Sequence, residues 1–164
     1  MKPTELQQPY DVIIVGGSYA GLSCAMQLGR ARRRVLVIDA GQRRNRYASH
    51  SHGFLTQDGR APADIAADGK RQVLAYPTVS WREGRALRAA QTAGGFEVLL
   101  DDGSTVQALR LVLASGVVDE LPPVEGLRER WGASVFHCPY CHGYELGQGR
   151  IGVIATGPLS MHHA

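Results

Sequence analysis

The chain has 164 residues, 44% of them hydrophobic and 20% charged, with a net charge of +3. At roughly 100–200 residues per domain this is one domain, or one domain with a piece of another, and the balance excludes a disordered chain. Sixteen of the 18 basic residues are arginine, clustered in part at Arg30–Arg34 and Arg43–Arg46. Such clusters could neutralise phosphates or simply form a solvated helix end and loop. No basic helix interleaved with aromatics accompanies them, which argues against nucleic acid as a partner.

No apolar run approaches the ~18 residues of a membrane span. Residues 1–10 lack the pattern of a signal peptide and read as a flexible lead-in. The expectation is a cytoplasmic protein with no membrane partner.

Asp11-Val-Ile-Ile-Val15 is an unbroken β-branched run, the pattern of a strand buried on both faces in a parallel sheet. It enters Gly16-Gly17-Ser18-Tyr19-Ala20-Gly21. A helical pattern follows from Ala20 to about Arg30, then a second buried run, Val35–Ile38, ending at Asp39. Strand, glycine turn, helix, strand and acid in this order form the dinucleotide-binding βαβ unit. Gly16 allows the tight turn, and Gly21 lets the helix pack close to the sheet. The helix N-terminus would take a pyrophosphate. Asp39, 18 residues beyond Gly21, would accept from a ribose. Ser18 stands where the middle glycine is usual, and its hydroxyl could donate to phosphate. The bland alternative is a glycine turn in some other α/β sheet.

Residues 41–61 make a long polar stretch. Long unstructured connections are often functional, and Asn45, His50, His52, Gln57 and Asp58 could line a cofactor or belong to an ordinary surface loop. Pro62 to Tyr76 reads as a helix weakened by Gly69. Short strands are expected at Val79–Trp81 and Arg85–Ala90. Phe96–Leu100 and Ser104–Ala108 form a hairpin across Asp101-Asp102-Gly103. Leu111–Ala114 is a further buried strand ending in Ser115-Gly116. Leu121-Pro122-Pro123-Val124-Glu125-Gly126 marks a domain crossing. Gly149–Ala155 reads as another buried strand, leading into Thr156-Gly157-Pro158-Leu159-Ser160.

Phe136-His137-Cys138-Pro139-Tyr140-Cys141-His142-Gly143 carries the chemistry. Three cysteines make no disulfide framework, and a CxxC pair in a reducing compartment is more often redox-active or metal-binding than structural. A following helix N-terminus would favour the thiolate, and the flanking histidines could move a proton. Two alternatives use the same residues. Cys138-Pro-Tyr-Cys141-His142 matches the c-type haem attachment pattern, though haem attachment goes with export. His137, Cys138, Cys141 and His142 could ligate zinc, with only His162 and His163 as a distant second pair. No metal is assigned. Cys24, on the apolar side of the first helix, reads as a buried structural thiol.

Taken together, Gly16-x-Ser18-x-x-Gly21, Asp39, Leu113-Ala114-Ser115-Gly116, Leu121–Gly126, Cys138-Pro-Tyr-Cys141 and a second dinucleotide turn resemble the thioredoxin-reductase-like, FAD- and NAD(P)-dependent pyridine nucleotide–disulfide oxidoreductases. The resemblance covers about Tyr10 to Ala164. Around the dithiol it is nearer to the branch that includes the dithiol oxidases, because His142 replaces the aspartate that follows the second cysteine in thioredoxin reductases. The second turn, Ala155-x-Gly157-x-x-Ser160, lacks its first glycine, and Pro158 removes a backbone donor.

The resemblance implies an α/β fold: a Rossmann-like FAD-binding domain over 11–120 whose parallel sheet carries an inserted antiparallel β-meander. A crossover, the CxxC segment and the truncated start of a second Rossmann-like NAD(P) domain would occupy 121–164. It implies FAD held by Gly16, Gly17, Ser18, Tyr19, Ala20, Gly21, Asp39, Ala40, Gly41, Gln42, Asn45, Asp58, Ala114, Ser115 and Gly116. NAD(P)H would be used by a full-length parent but not bound by this chain alone.

It further implies that Cys141 sits by the flavin and exchanges electrons with it. Cys138 would be the interchange thiol, and His137 or His142 the acid or base. Substrates would be small-molecule or protein dithiols or disulfides, and full-length relatives would be homodimers. The alternative is a non-catalytic front half of such an enzyme, binding flavin weakly or not at all.

Overall fold

The computed structural model describes residues 9–158 and residue 160. These form two compact units, one of residues up to Arg43 together with Ala66–Val117, the other of Arg44–Ile65 together with Val118 onward. The lead-in expected over residues 1–10 lies outside the described residues up to Gln8, and at its end Tyr10 already belongs to the first strand.

The first unit is built on a six-stranded mixed sheet in the order β3-β2-β1-β6-β5-β4. β1 (Tyr10–Val15), β2 (Val35–Asp39) and β3 (Val79–Glu83) are parallel, and β6 (Thr105–Leu113) runs parallel to β1 on its other side. β4 (Ala86–Thr92) and β5 (Gly95–Leu100) complete the sheet antiparallel. α1 (Tyr19–Arg30) connects β1 to β2 and α2 (Pro62–Leu74) precedes β3. This is the Rossmann-like sheet with an antiparallel meander that the motifs imply.

The unbroken apolar runs are buried on both faces, as their lack of alternation requires. Val12, Ile14, Val35 and Val37 join Leu22 and Ala25 of α1 and Val73 of α2 in one core cluster. Ile13, Leu36 and Ile38 join Val98, Leu100 and Ala108 in a second. Cys24 packs, partly buried, against the first cluster.

Two strand expectations change. Ser104–Ala108 and Leu111–Ala114 are one strand, β6, rather than two. Its first half pairs antiparallel with β5, its second half parallel with β1, and Ala108 pairs with both. The exposed Leu109 and Arg110 break the hydrophobic pattern without breaking the ladder. The strand expected over Gly149–Ala155 is absent: residues 151–156 have no regular structure, and Ile151, Val153 and Ile154 are exposed. A strand needs a neighbour to take its N–H and C=O groups, and among the described residues none pairs with it.

The β5–β6 turn is held by Asp102. Its carboxylate accepts from the Ser104 amide at 3.0 Å, the Ser104 hydroxyl at 2.6 Å and Arg82 at 2.5 Å. Ser104's hydroxyl, then its amide, then Arg82 draw the carboxyl down from 3.8 to about 2. A depressed folded-state value gives stability that is present above pH 3.8 and lost as pH falls through about 2. The urea midpoint of Asp102→Asn should therefore lie below the unsubstituted chain's at neutral pH. That gap should narrow across this acid window; a gap independent of pH would refute the assignment.

In the second unit, residues 44–47 form a 3₁₀ turn, and two single-turn helices follow, α3 (Leu127–Arg130) and α4 (Pro139–His142). Among the described residues, no helix is long and apolar enough to cross a membrane.

Candidate functional site

In the first unit the glycine turn between β1 and α1 is sterically determined. Gly16 has φ +103°, and a Cβ there would lie 2.2 Å from the Ala114 carbonyl oxygen. The end of β6 is drawn to the same place, since the Ala114 amide donates to the Val15 carbonyl at 2.8 Å. A Cβ on Gly21 would lie 1.8 Å from the Gly16 carbonyl oxygen, so α1 packs on the turn backbone itself. The Gly17 amide donates to Asp39 Oδ1 at 3.0 Å. Gly16, Gly17, Gly21, Asp39 and Ala114 thus meet at one end of the sheet.

Ser18 is the N-cap of α1 but makes no side-chain cap bond, and the first turn, which begins with Tyr19 and Ala20, holds no acidic residue. A twelve-residue helix start without a carboxylate or a capping hydroxyl suits an anion. Ala40, Gly41 and Gln42 follow β2, and Ser115 and Gly116 follow Ala114; at both Gly41 (φ +71°) and Gly116 (φ +68°) a Cβ would meet nothing within 4 Å. Trp81 of β3, placed by sequence only as a strand residue, presses its ring against the Gly17 backbone, with Lys70 Nζ 4.3 Å above the ring.

In the second unit, Cys138 is the N-cap of α4, and Pro139 supplies the first helical position, where no amide proton is needed. Cys138 Sγ accepts from the Cys141 amide at 3.2 Å and from the Cys141 thiol at 2.6 Å. The thiol contact, followed by burial, pushes the Cys141 thiol up from 9.0 to about 11, with Arg44 opposing.

Arg44 makes a two-pronged bond to Asp119, with Nε to Oδ2 at 2.9 Å. That bond raises the Arg44 guanidinium and, against burial, lowers the Asp119 carboxyl; the charge of His137 lowers Asp119 further. His142 stacks on Phe136, ring centroids 4.2 Å apart and planes 13° apart, and its Nδ1 is buried with no hydrogen-bond partner among the described residues.

Asn45 lies in the 3₁₀ turn. Asp58 is engaged within its own loop, accepting from the Gly53 amide at 2.8 Å. His52 Nδ1 stands 3.3 Å from Glu145 Oε1, tying this loop to the segment after the dithiol. Of Arg44, Asp119, Glu145 and Phe136, the sequence places Arg44 only in a basic cluster and Phe136 only at the edge of the dithiol stretch, and it singles out neither Asp119 nor Glu145. The Arg44–Asp119 bond carries no local signal because it spans 75 positions. His162 and His163, the distant zinc candidates, lie outside the described residues. Among the described residues no three His, Cys, Asp or Glu side chains converge as a metal-ligand group.

A Rossmann-like sheet with a dinucleotide-type turn, in one chain with a CxxC dithiol, defines the class of nucleotide-dependent disulfide oxidoreductases. The chain belongs to the pyridine nucleotide-disulphide oxidoreductase family, whose model matches residues 10–164. Thioredoxin reductase tcpT of Claviceps purpurea is 38% identical over 91% of this chain and 47% of its own length. An oxidoreductase crystal structure from Agrobacterium tumefaciens is 62% identical, with a TM-score of 0.92 over 96% of this chain and 53% of that one. The crystal structure of HlmI is 38% identical, with a TM-score of 0.89 over 96% of this chain and 51% of that one. The chain spans about half the length of the relatives it matches.

Proposed function

We propose that this chain is the dithiol-bearing part of an FAD-dependent thiol/disulfide oxidoreductase, in which Cys138 and Cys141 pass an electron pair between flavin and a dithiol or disulfide substrate. The observation that carries the reading is the pairing of the two sulfurs, with Cys141 donating both its amide and its thiol to Cys138. Family membership and relatives named as thioredoxin reductases support it.

The glycine turn suits FAD. The start of α1 offers a helix N-terminus without a competing acid or cap bond, and the backbone is laid bare at Gly16 and Gly17. Residues 16–21 would hold the pyrophosphate, Asp39 the ribose, and Ala40–Gln42 with Ala114–Gly116 the surrounding contacts. When bound, FAD supplies a two-electron sink for the dithiol.

The thiol chemistry then follows from the pair. A substrate thiolate attacks Cys138 Sγ of the Cys138–Cys141 disulfide, a mixed disulfide forms, and Cys141 leaves as a thiolate. The second substrate thiolate attacks the substrate sulfur of the mixed disulfide and releases Cys138 as a thiolate. The substrate leaves as a disulfide, two electrons reside on the cysteines, and the protons pass to the flanking groups or solvent. By resemblance to the family, Cys138 is the interchange thiol and Cys141 the one that exchanges electrons with the flavin; both hydrogen bonds within the pair end on Cys138 Sγ. One of the two flanking histidines, His137 or His142, would hold or move the pair's protons. With His142 where thioredoxin reductases carry an aspartate, we favour dithiol oxidation over thioredoxin reduction.

The test is to incubate the purified chain with FAD, remove the excess, and follow flavin absorbance anaerobically. The expected outcome is retained flavin that is bleached by dithiothreitol, restored by air, and unchanged by NADPH. Failure to retain flavin, or bound flavin that stays oxidised in dithiothreitol, overturns the reading.

A further inference from the structure

The two histidines beside the dithiol have different surroundings. His142 closes α4 directly after Cys141, and its ring lies flat on Phe136 at 4.2 Å. Its Nδ1 is enclosed and faces no donor or acceptor among the described residues. An imidazole that acts as a base takes a proton on one nitrogen while holding another on the second, and an acid begins with both protonated. Each role therefore requires a proton on Nδ1. There it would be a buried N–H without an acceptor, a state that folded proteins avoid more strictly than an unpaired acceptor. The state that avoids this cost is the neutral ring with its single proton on Nε2.

We infer that His142 is a fixed hydrogen-bond donor through Nε2–H, with Phe136 as its positioning residue, and that it does not carry the proton of thiol exchange. On this inference its acceptor is the negative charge that develops on the neighbouring dithiol. Proton exchange then falls to His137, which precedes Cys138 and whose charge acts on the Asp119 carboxylate held by Arg44. This deepens the reading above and rests on Cys138 and Cys141 being the reacting pair.

Glutamine separates the two roles, since its side-chain amide donates a hydrogen bond from a position close to Nε2 but cannot carry a proton. The reduced chain is mixed anaerobically with dithiodipyridine and release of the coloured thione is timed; the reaction needs no flavin. His142→Gln should react within about threefold of the unsubstituted chain and His142→Ala at least ~10-fold more slowly. A loss of ~100-fold in both would mark a proton carrier and overturn the inference.

Nitrogen-15 spectra of labelled histidine give an independent readout. His142 should show the neutral Nε2–H pattern in the unsubstituted chain and in Phe136→Tyr, and a mixture of tautomers in Phe136→Leu. An Nδ1–H pattern in the unsubstituted chain, or no change in Phe136→Leu, also overturns it. An unsubstituted chain that does not react with dithiodipyridine at all overturns the dithiol reading itself, an outcome distinct from a reactive chain whose Gln and Ala variants are equally slow.

Discussion

Cys138→Ala should leave a chain that no longer exchanges with disulfides catalytically, yet whose Cys141 is alkylated faster than before. The Cys141 thiol stands at about 11 because it donates to Cys138 Sγ, because it is partly buried, and because charge on Cys138 opposes a second charge. Removing Cys138 deletes the first and third causes and keeps the second, so the thiol falls back toward 9.0. At neutral pH a fall of one to two units raises the thiolate fraction by ~10-fold to ~100-fold. Nucleophilicity drops with basicity by roughly the square root of that factor, leaving a net acceleration of about threefold to tenfold.

Iodoacetamide labelling of Cys141, followed by mass spectrometry across a pH series, measures both the rate and the titration. The reciprocal Cys141→Ala should trap Cys138 as a stable mixed disulfide, because the resolving sulfur is gone. Slower labelling of Cys141 in Cys138→Ala would reverse the assignment of donor and acceptor within the pair. In the FAD-loaded protein, any thiolate–flavin charge-transfer band should vanish with Cys141→Ser and survive Cys138→Ser, as the proposed roles require.

What could be read from the sequence was whatever is enforced within a few residues. Val35–Ile38 announces burial on both faces because every position is apolar, and alternate residues do fall in separate core clusters. The turn at Gly16 is legible because it is a demand on one φ angle and one close approach. β6 is not legible as one strand because its pairing partner changes midway, and the exposed Leu109-Arg110 mimics a break. The Gly149–Ala155 run has the composition of a strand, but composition does not supply a neighbour. At the dithiol the cysteines and histidines are legible in the CxxC pattern, while the contacts that bias them are not. Arg44 reaches Asp119 across 75 positions, and Phe136 meets His142 only because the chain doubles back through the single turn of α4.

The other large effect belongs to the glycine turn, where three glycines meet different demands and alanine should separate them. At Gly41 a Cβ meets nothing within 4 Å, so Gly41→Ala costs only the left-handed backbone at φ +71°, ~1–2 kcal/mol. At Gly16 the backbone, φ +103°, is again one that L side chains rarely adopt, and the new methyl would sit 2.2 Å from a carbonyl oxygen at the end of β6. Strain of ~1–3 kcal/mol then adds to overpacking of ~1–3 kcal/mol.

Gly21 sits inside α1 with an ordinary helical backbone, so its alanine variant gains about 1 kcal/mol of helix propensity. Against that gain stands a contact of 1.8 Å with the Gly16 carbonyl oxygen, which only a shift of α1 away from the turn can relieve. Urea midpoints should therefore fall in the order Gly41→Ala, Gly21→Ala, Gly16→Ala. FAD retention should be lost in the last two while largely kept in Gly41→Ala, because only the contacts at Gly16 and Gly21 set where the first turn of α1 points its amides. Against a total folding stability of ~5–15 kcal/mol, the Gly16 effect is a large fraction. A Gly16→Ala chain as stable as Gly41→Ala would mean that the turn relaxes without cost, and the steric account of this βαβ unit would have to be abandoned.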